Sequence, residues 1–563
     1  MPSLTQKIIN GKPYYYLREC QRVNGKPKII WTFYIGSAQN LLDKISRPEP
    51  LKVCIREFGA SVASFDIAQS LNVVDIIDRH VPKQGSQGPS VGQYLLAATL
   101  NRCVSPTSKA QLGEWYDKTV LRRLMPLSSA QLISQRFWEN MDRVTEKQLS
   151  QIEQEIASKC VSEFKLKLNM LLFDCTNFFT YVDSFNDKPQ LPQRGHSKEG
   201  RANLRIVGLA LMVTSDGDVP LFHNTYAGNQ HDSITFSSVI NQLAQRCRQL
   251  SQDVEEITLN FDKGNNSDEN LEAVEKGPWH FVGSLVPTHH PDLLKIKRKE
   301  MRRLDTKKLS AVWSTRIQKK IFDVERTVLV TWNQPLYDAQ LKTLQREIRK
   351  RQIKLEEIQK RLKKTSKGKK PTVEGTQKQV QGILSIRHMK DLFRAKVRLV
   401  NNRPRLSFYF QEKKWEMLKT NLLGKTILFT DRTEWSDEEI VLAYRAQHHV
   451  ESSFRRMKDP RFLTFRPTFH WTDQKLRVHA FTCVLALMIV SLMRRKASHA
   501  GYPMSCVQLL DKLSDIQEVD LVYASPEKIR KLSVCTVLSE TDDRQRDLMK
   551  VLGLSRYLVE TKN

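Results

Sequence analysis

The sequence predicts an α/β protein: three antiparallel strands, then alternating helices and strands, with β-rich and helical material before and inside that pattern. Three observations carry this expectation. Between Phe164 and Val286, short apolar runs end in turn signals and alternate with amphipathic stretches. Two of those runs end in aspartate, Leu168–Phe173 before Asp174 and Ile257–Phe261 before Asp262. Lys and Arg number 90 against 61 Asp and Glu, a formal charge of +29 with a pI near 9.7. Such a surplus points to a polyanionic partner, nucleic acid before an anionic membrane.

At 563 residues the chain has room for several domains. In residues 1–50, Tyr14–Leu17 and Ile29–Tyr34 flank Asn24-Gly25, a favoured tight-turn pair, and predict a β-hairpin module. A hairpin alone is marginally stable, so it is expected to dock on a protein or in a DNA groove. Residues 51–160 read as helical. Phe65–Val73 has the cadence of a helix-turn-helix with Ala68 at the close approach, which makes this block a DNA-binding domain; the alternative is an ordinary helical hairpin in a bundle.

Residues 161–290 hold the first part of the sheet. After the Asp174 strand come Ile206–Val213 and Pro220–Asn224, joined by the turn Ser215–Asp218. A helix from Ser233 to Leu250 leads into the Asp262 strand, and a second from Asp268 to Val274 leads to Phe281–Val286. This is the order of an RNase H-like sheet, in which the first and fourth strands are neighbours, so that Asp174 and Asp262 meet. Residues 291–425 change character and read as an α+β insertion before the last catalytic helix. Leu341, Ile348, Leu355 and Leu362 repeat every seven residues, Leu344 and Ile358 partly fill a second seam, and Arg351 breaks it. From Leu341 to Lys370 there are 13 basic and 3 acidic residues, a helical arm or coiled hairpin that tracks phosphates or forms a solvated face. β-rich pieces surround it, at Arg326–Thr331, Ala395–Val400 and Leu406–Phe410.

Residues 426–495 return to the core pattern. Thr426–Asp431 reads as a last strand, and Ser436 with Glu439 forms a capping box that opens a helix. Residues 496–563 are expected to be helical. The apolar run Ala480–Met493 is 14 residues long, short of the roughly 20 that span a membrane, and predicts a buried core helix in a soluble protein. Nine scattered cysteines without a Cys-x-x-Cys pair fit reduced thiols in the cytosol and argue against a zinc finger. The polar stretch Met1–Ile9 is no secretory signal.

Carboxylates at the ends of buried strands are costly unless a cation neutralises them. Two divalent ions held between them, about 4 Å apart, would clamp the attacking and leaving oxygens of a phosphodiester. Tyr444, Gln447, Glu451, Phe454 and Lys458 fall at spacings of 3, 4, 3 and 4, one stripe of a helix. The competing reading is a surface face in which Glu451 pairs with Arg455. Other acids have plainer readings: Asp216 and Asp218 as turn residues, Asp431 as a turn or supporting residue, Glu438 and Glu439 as first-turn acids. His289-His290 and His448-His449 lack a companion ligand at zinc spacing.

These residues resemble the DDE-type transposases of bacterial and archaeal insertion sequences, in the large branch called family four. Asp174-Cys175-Thr176 matches that branch's Asp-x-Thr, and Phe261-Asp262-Lys263-Gly264 matches its aspartate followed closely by glycine. Tyr444, Glu451 and Lys458 fall in register with its Tyr-Arg-Glu-Lys helix signature. Gln447 replaces the signature's Arg and puts that phosphate contact on Arg445 or His448. The likeness extends to the Gly25-Lys26 hairpin and to Tyr226–Asn229. It implies that Asp174, Asp262 and Glu451 ligate two Mg²⁺ or Mn²⁺ ions. It further implies that Tyr444, Arg445, Gln447, Arg455 and Lys458 contact DNA. The partners implied are the double-stranded DNA of transposon ends and target, and a second copy of the chain. Localisation would be cytoplasmic and nucleoid-associated. In relatives a Trp of the insertion often stacks on a flipped base; Trp313, Trp332 and Trp415 are the candidates. A nuclease without strand transfer and a DNA-binding protein with an inactive centre are the alternatives.

Overall fold

The computed structural model describes residues 2–559 apart from 24–25, 46–49, 84, 86–87, 184, 202, 251–255, 278, 305, 364–369, 467 and 525–531. The Asn24-Gly25 turn and part of the basic 341–370 segment lie outside the described residues. At the N-terminus β1 (Pro2–Ile9), β2 (Lys12–Val23) and β3 (Lys26–Ser37) form an antiparallel sheet of their own. The expected hairpin thus carries a further strand, built from the polar segment that opens the chain. After β4 (Lys52–Glu57), helices follow to Phe164.

The main sheet begins with β5 (Met170–Phe179), β6 (Ile206–Thr214) and β7 (Pro220–Ala227), successive antiparallel neighbours. Every position of β6 is buried, as its near-continuous apolar run requires for a strand covered on both faces. Next come β8 (Thr258–Phe261) and β9 (His280–Leu285), parallel to each other, with β8 also parallel to β5 and lying directly against it. The sheet then continues through β10 (Arg302–Arg303), β11 (Val312–Ile321) and β12 (Val324–Asn333). Later in the chain lie the hairpin β13 (Phe393–Val400) and β14 (Arg403–Phe410), and then β15 (Lys425–Thr430). Among the described residues the strand order is β10-β11-β12-β15-β9-β8-β5-β6-β7, a mixed α/β sheet in which the first strand sits between the second and the fourth.

Two expectations change here. Strands β11 and β12 belong to the main sheet, so the part with its own core is narrower than 291–425. It consists of the 30-residue helix Gln334–Lys363, the helix Val373–Ile383 and the β13–β14 hairpin. Leu355, Ile358 and Leu362 are buried against that hairpin and Trp415. The heptad repeat therefore seats the helix on its own lobe, without a second coil. The C-terminal region is also not purely helical: β16 (Gln517–Ala524) pairs with both β17 (Leu532–Leu538) and β4.

One hydrophobic core runs from Phe58 to Leu554 and joins the N-terminal helices to the sheet. At its centre is the helix Asp473–His499. By length and composition it passes for a membrane span, yet 94% of its apolar window is buried inside the protein. The helix Gly59–Ser70 is buried at every position from Gly59 to Ala68. It meets the helix Val73–His80 at a 53° bend, across Asn72, whose φ is 53°. The first helix of the pair is covered on all sides, and the second, Val73–His80, buries Val73, Ile76 and Ile77 and keeps Asp75 and Arg79 exposed.

Candidate functional site

Register decides where the strand-end aspartates stand. In the parallel pair of β5 and β8 the last partners are Phe173 and Phe261, so Asp174 and Asp262 are the next residues on adjacent strands, at one level. Phe173 and Phe261 are fully buried and both pack near Phe236. The chain is thus fixed right up to the point where the polar residues emerge. Asp174 is half-buried and its Oδ1 accepts the Cys175 N–H at 2.7 Å. Asp262 is half-buried, opens the turn Lys263–Asn265, and accepts the Ser284 hydroxyl at 3.4 Å from β9.

The expected single helical stripe is two helices. Asp437–Arg445, opened by the Ser436–Glu439 capping box, ends at Ala446, and His448–Lys458 begins after Gln447. The break has a visible cause. Gln447 turns inward, 7% exposed, and its Nε2 donates to the Phe173 carbonyl at 2.9 Å. That single bond fastens the second helix to the residue preceding Asp174. Glu451 follows one turn later, its N–H bonded to the Gln447 carbonyl at 3.3 Å, with an exposed side chain. Gln447 thus leaves the DNA-facing set and becomes a positioning residue. The rest of the helix is anchored from below: Asp218 at the β6–β7 turn, 2% exposed, accepts from His449, Arg456 and Arg494. Against the cost of burial, the His449 hydrogen bond and the Arg456 and Arg494 charges hold its carboxyl down at about 2.

Tyr444 is held above its ordinary pKa, first by burial and then by the charges of Asp262 and Glu451, while a Ser284 hydrogen bond opposes the shift. One phenol thus feels both carboxylates. Lys458 marks the other end of the site. Its Nζ donates to Thr176 Oγ1 at 2.9 Å and lies 5.4 Å from the Phe178 ring. Burial lowers its pKa; Glu199 and Asp174 raise it, and Lys198 and Arg466 lower it. Arg445 donates to the Lys308 carbonyl at 3.2 Å, and burial lowers its pKa. Arg455 is exposed. Among the described residues no group of three His, Cys, Asp or Glu stands close enough to hold a metal ion. Asp174 and Asp262 are neighbours through strand register, and Glu451 stands apart from them on its helix, not within the reach of one shared ion.

Several residues here escape sequence reasoning. Ser284 bonds both Asp262 and Tyr444, and nothing in the Phe281–Val286 run marks it. Lys198 donates to the Cys175 carbonyl at 2.6 Å, from a loop without periodicity. Asp431, expected as a turn or supporting residue, accepts from His280 and from the Phe281 N–H and so ties the end of β15 to β9. The tryptophans expected to stack on a base are engaged elsewhere. Trp332 and Trp415 are buried, and Arg298 lies 3.9 Å from the Trp313 ring and 4.3 Å from the Trp332 ring. Beside Tyr444 a cleft of about 610 Å³ opens between sheet and lobe, lined by Lys263, Ser284 and Tyr444 on one side and Gln340, Leu344 and Arg387 on the other.

The model of the transposase DDE domain family matches residues 179–489, more than half of the chain. The chain belongs to that family. Asp262 and Glu451 lie inside the matched span of this transposase, and Asp174 lies just before it. No curated protein matches the transposase in sequence. Among solved structures, a piggyBac transposase synaptic complex with hairpin DNA is 9% identical over 82% of each chain, at a TM-score of 0.38. A Mos1 transposase paired-end complex with the left transposon end is 13% identical over 38% of this chain and 63% of the other, at a TM-score of 0.15.

Proposed function

We propose that this transposase has an RNase H-like core, cuts DNA at the ends of an insertion sequence and joins the freed 3′-hydroxyls to target DNA. The observation that supports this best is the pair of aspartates at one level on adjacent parallel strands, with the Glu451 helix fastened to the first of those strands through Gln447. Asp174, Asp262 and Glu451 would hold two Mg²⁺ or Mn²⁺ ions, since an all-carboxylate donor set suits hard cations. Such ions, when bound, supply Lewis-acid stabilisation of a phosphoryl group and a water of lowered pKa.

The chain's own cations do the rest. Lys458, seated on Thr176 beside Asp174, presents a positive charge to a phosphate next to the reacting one. Tyr444 is placed to orient a phosphate or water between Asp262 and Glu451. Arg455, exposed one turn beyond Glu451, is available to the next phosphate, and Arg445 braces the helix against the Lys308 loop. The cleft beside Tyr444 offers Lys263, Arg387 and Lys425 to a DNA strand that enters it. Joining two ends calls for two copies of the chain on the DNA.

The test is Mg²⁺-dependent cleavage of DNA spanning the gene's own borders, with the parent protein and Asp174→Asn. Cuts at the borders that vanish in the variant, with strand-transfer products in the parent, support the reading. Cuts without transfer products favour the plain nuclease. Binding without cutting by either protein, under Mg²⁺ or Mn²⁺, overturns the assignment in favour of a DNA-binding protein.

A further inference from the structure

Strands β1–β3 form a sheet without a core. Among the described residues none before Phe58 belongs to a hydrophobic cluster, and Leu4, Ile8, Phe33 and Tyr34 are 52%, 71%, 56% and 52% exposed. A short helix, Ala38–Ile45, packs on β2 and β3.

Register sorts the side chains onto two unlike faces, because alternate residues of a strand point to opposite sides. Across the strands, Leu4 pairs with Leu17 and Leu17 with Phe33, and Glu19 pairs with Trp31. That face is apolar and carries Glu19, the only acid of Pro2–Ser37, which accepts the Trp31 indole N–H at 2.9 Å. The other face has the rows Ser3–Arg18–Thr32, Thr5–Tyr16–Tyr34 and Lys7–Tyr14–Ser37. Tyr34 lies 5.1 Å from Tyr16 and 6.2 Å from Tyr14, ring to ring. Lys7 and Arg18 stand 5.7 and 5.6 Å from the Tyr16 ring. This second face holds hydroxyls and cations and no carboxylate at all.

We propose that the Tyr14–Tyr16–Tyr34 face of the N-terminal sheet docks on duplex DNA, with Lys7 and Arg18 on phosphates and the tyrosine and threonine hydroxyls on sugar-phosphate or base edges. The inference rests on the transposase reading and names the module that grips the ends. Charge decides the occupant: six Lys and Arg against one Glu in Pro2–Ser37, with the Glu on the far side, complements a polyanion. Side chains of this kind are also those that contact the DNA backbone most often.

The experiment uses the full chain without divalent metal and follows fluorescence anisotropy of a labelled duplex carrying the gene's border, across a salt series. Lys7→Ala with Arg18→Ala should weaken binding about tenfold or more and flatten the salt slope by about two, since each phosphate contact contributes about 0.9. Tyr16→Ala should weaken it further, and Ile8→Ser on the apolar face should leave it as in the parent. The charge variants lie on an exposed face, and circular dichroism checks that they fold. Unchanged affinity and slope, or an equal loss from Ile8→Ser, would overturn the proposal. So would a shift from dimer to monomer in sedimentation with DNA affinity intact, which would assign the face to a second copy. Border cleavage separates the two readings: a parent that cuts, with charge variants that bind as it does, sinks this inference alone, whereas a parent that neither binds nor cuts sinks both.

Discussion

Strands β5 and β3 are similar in length and rich in aromatic residues, yet they live in opposite surroundings. β5 is buried at every position except Met170 and Asp174, which are partly so. β3 is exposed from Lys26 to Tyr34. In β5 the neighbours fix every rotamer, so the carboxylate at Asp174 starts from a rigid frame. In β3 the side chains from Lys26 to Tyr34 stand exposed, held by contacts within the small sheet such as the Trp31–Glu19 hydrogen bond and the Tyr34–Tyr16 ring pair. The proposed site for chemistry and the proposed docking surface thus differ, strand for strand, chiefly in burial.

The sharpest way to break this contrast is catalytic. Glu451→Gln removes a proposed metal ligand without touching a basic residue. Losing several kcal/mol of transition-state stabilisation should cut border cleavage by about three orders of magnitude, with DNA affinity in anisotropy near that of the parent. Cleavage that survives the change would remove Glu451 from the site. Stability gives the next test. Phe173→Ala, at a position with no exposure, should cost about 3–5 kcal/mol in denaturant unfolding. Phe33→Ala, on the open sheet, should stay within about 0.5 kcal/mol; equal losses would mean that β3 is packed after all.

Asp218 probes the frame beneath the catalytic helix. Asp218→Asn leaves Arg456 and Arg494 without their carboxylate and should cost about 3 kcal/mol at neutral pH. Because the folded pKa lies at about 2, below the usual carboxylate range, the parent keeps this stabilisation above about pH 4. It should lose it as the pH falls from there toward 2, and the variant's melting temperature should be flatter over that window. A parallel decline in both proteins would show that Asp218 does not carry the effect. Gln447→Ala should have the smallest consequence, about 1–3 kcal/mol for the orphaned Phe173 carbonyl. Cleavage should fall more than substrate affinity, as the Glu451 helix loosens. An unchanged rate would make the Gln447 bond incidental.

The strand ends were readable because each apolar run is long enough to demand burial and stops at a polar residue followed by a turn. The adjacency of β5 and β8 followed from the order of elements. The break at Ala446-Gln447 was not readable, since Tyr444 to Lys458 keeps a helical period across it and neither glycine nor proline interrupts. Only the Phe173 carbonyl, distant in sequence, makes it. The C-terminal sheet hid for a related reason. Glu518 and Asp520 interrupt its apolar positions, and their cost is met by Arg123 and Arg56 from the N-terminal region.

The most direct test of the central claim, that Asp174, Asp262 and Glu451 share one divalent-metal site, is backbone cleavage by bound iron. Fe²⁺ replaces Mg²⁺ in the full chain, ascorbate and peroxide generate hydroxyl radicals at the metal, and the fragments are mapped by mass spectrometry. The account predicts cuts clustered near residues 174, 262 and 451 that Mg²⁺ suppresses by competition. Cuts at one of these positions alone, or at sites elsewhere on the chain, would contradict it.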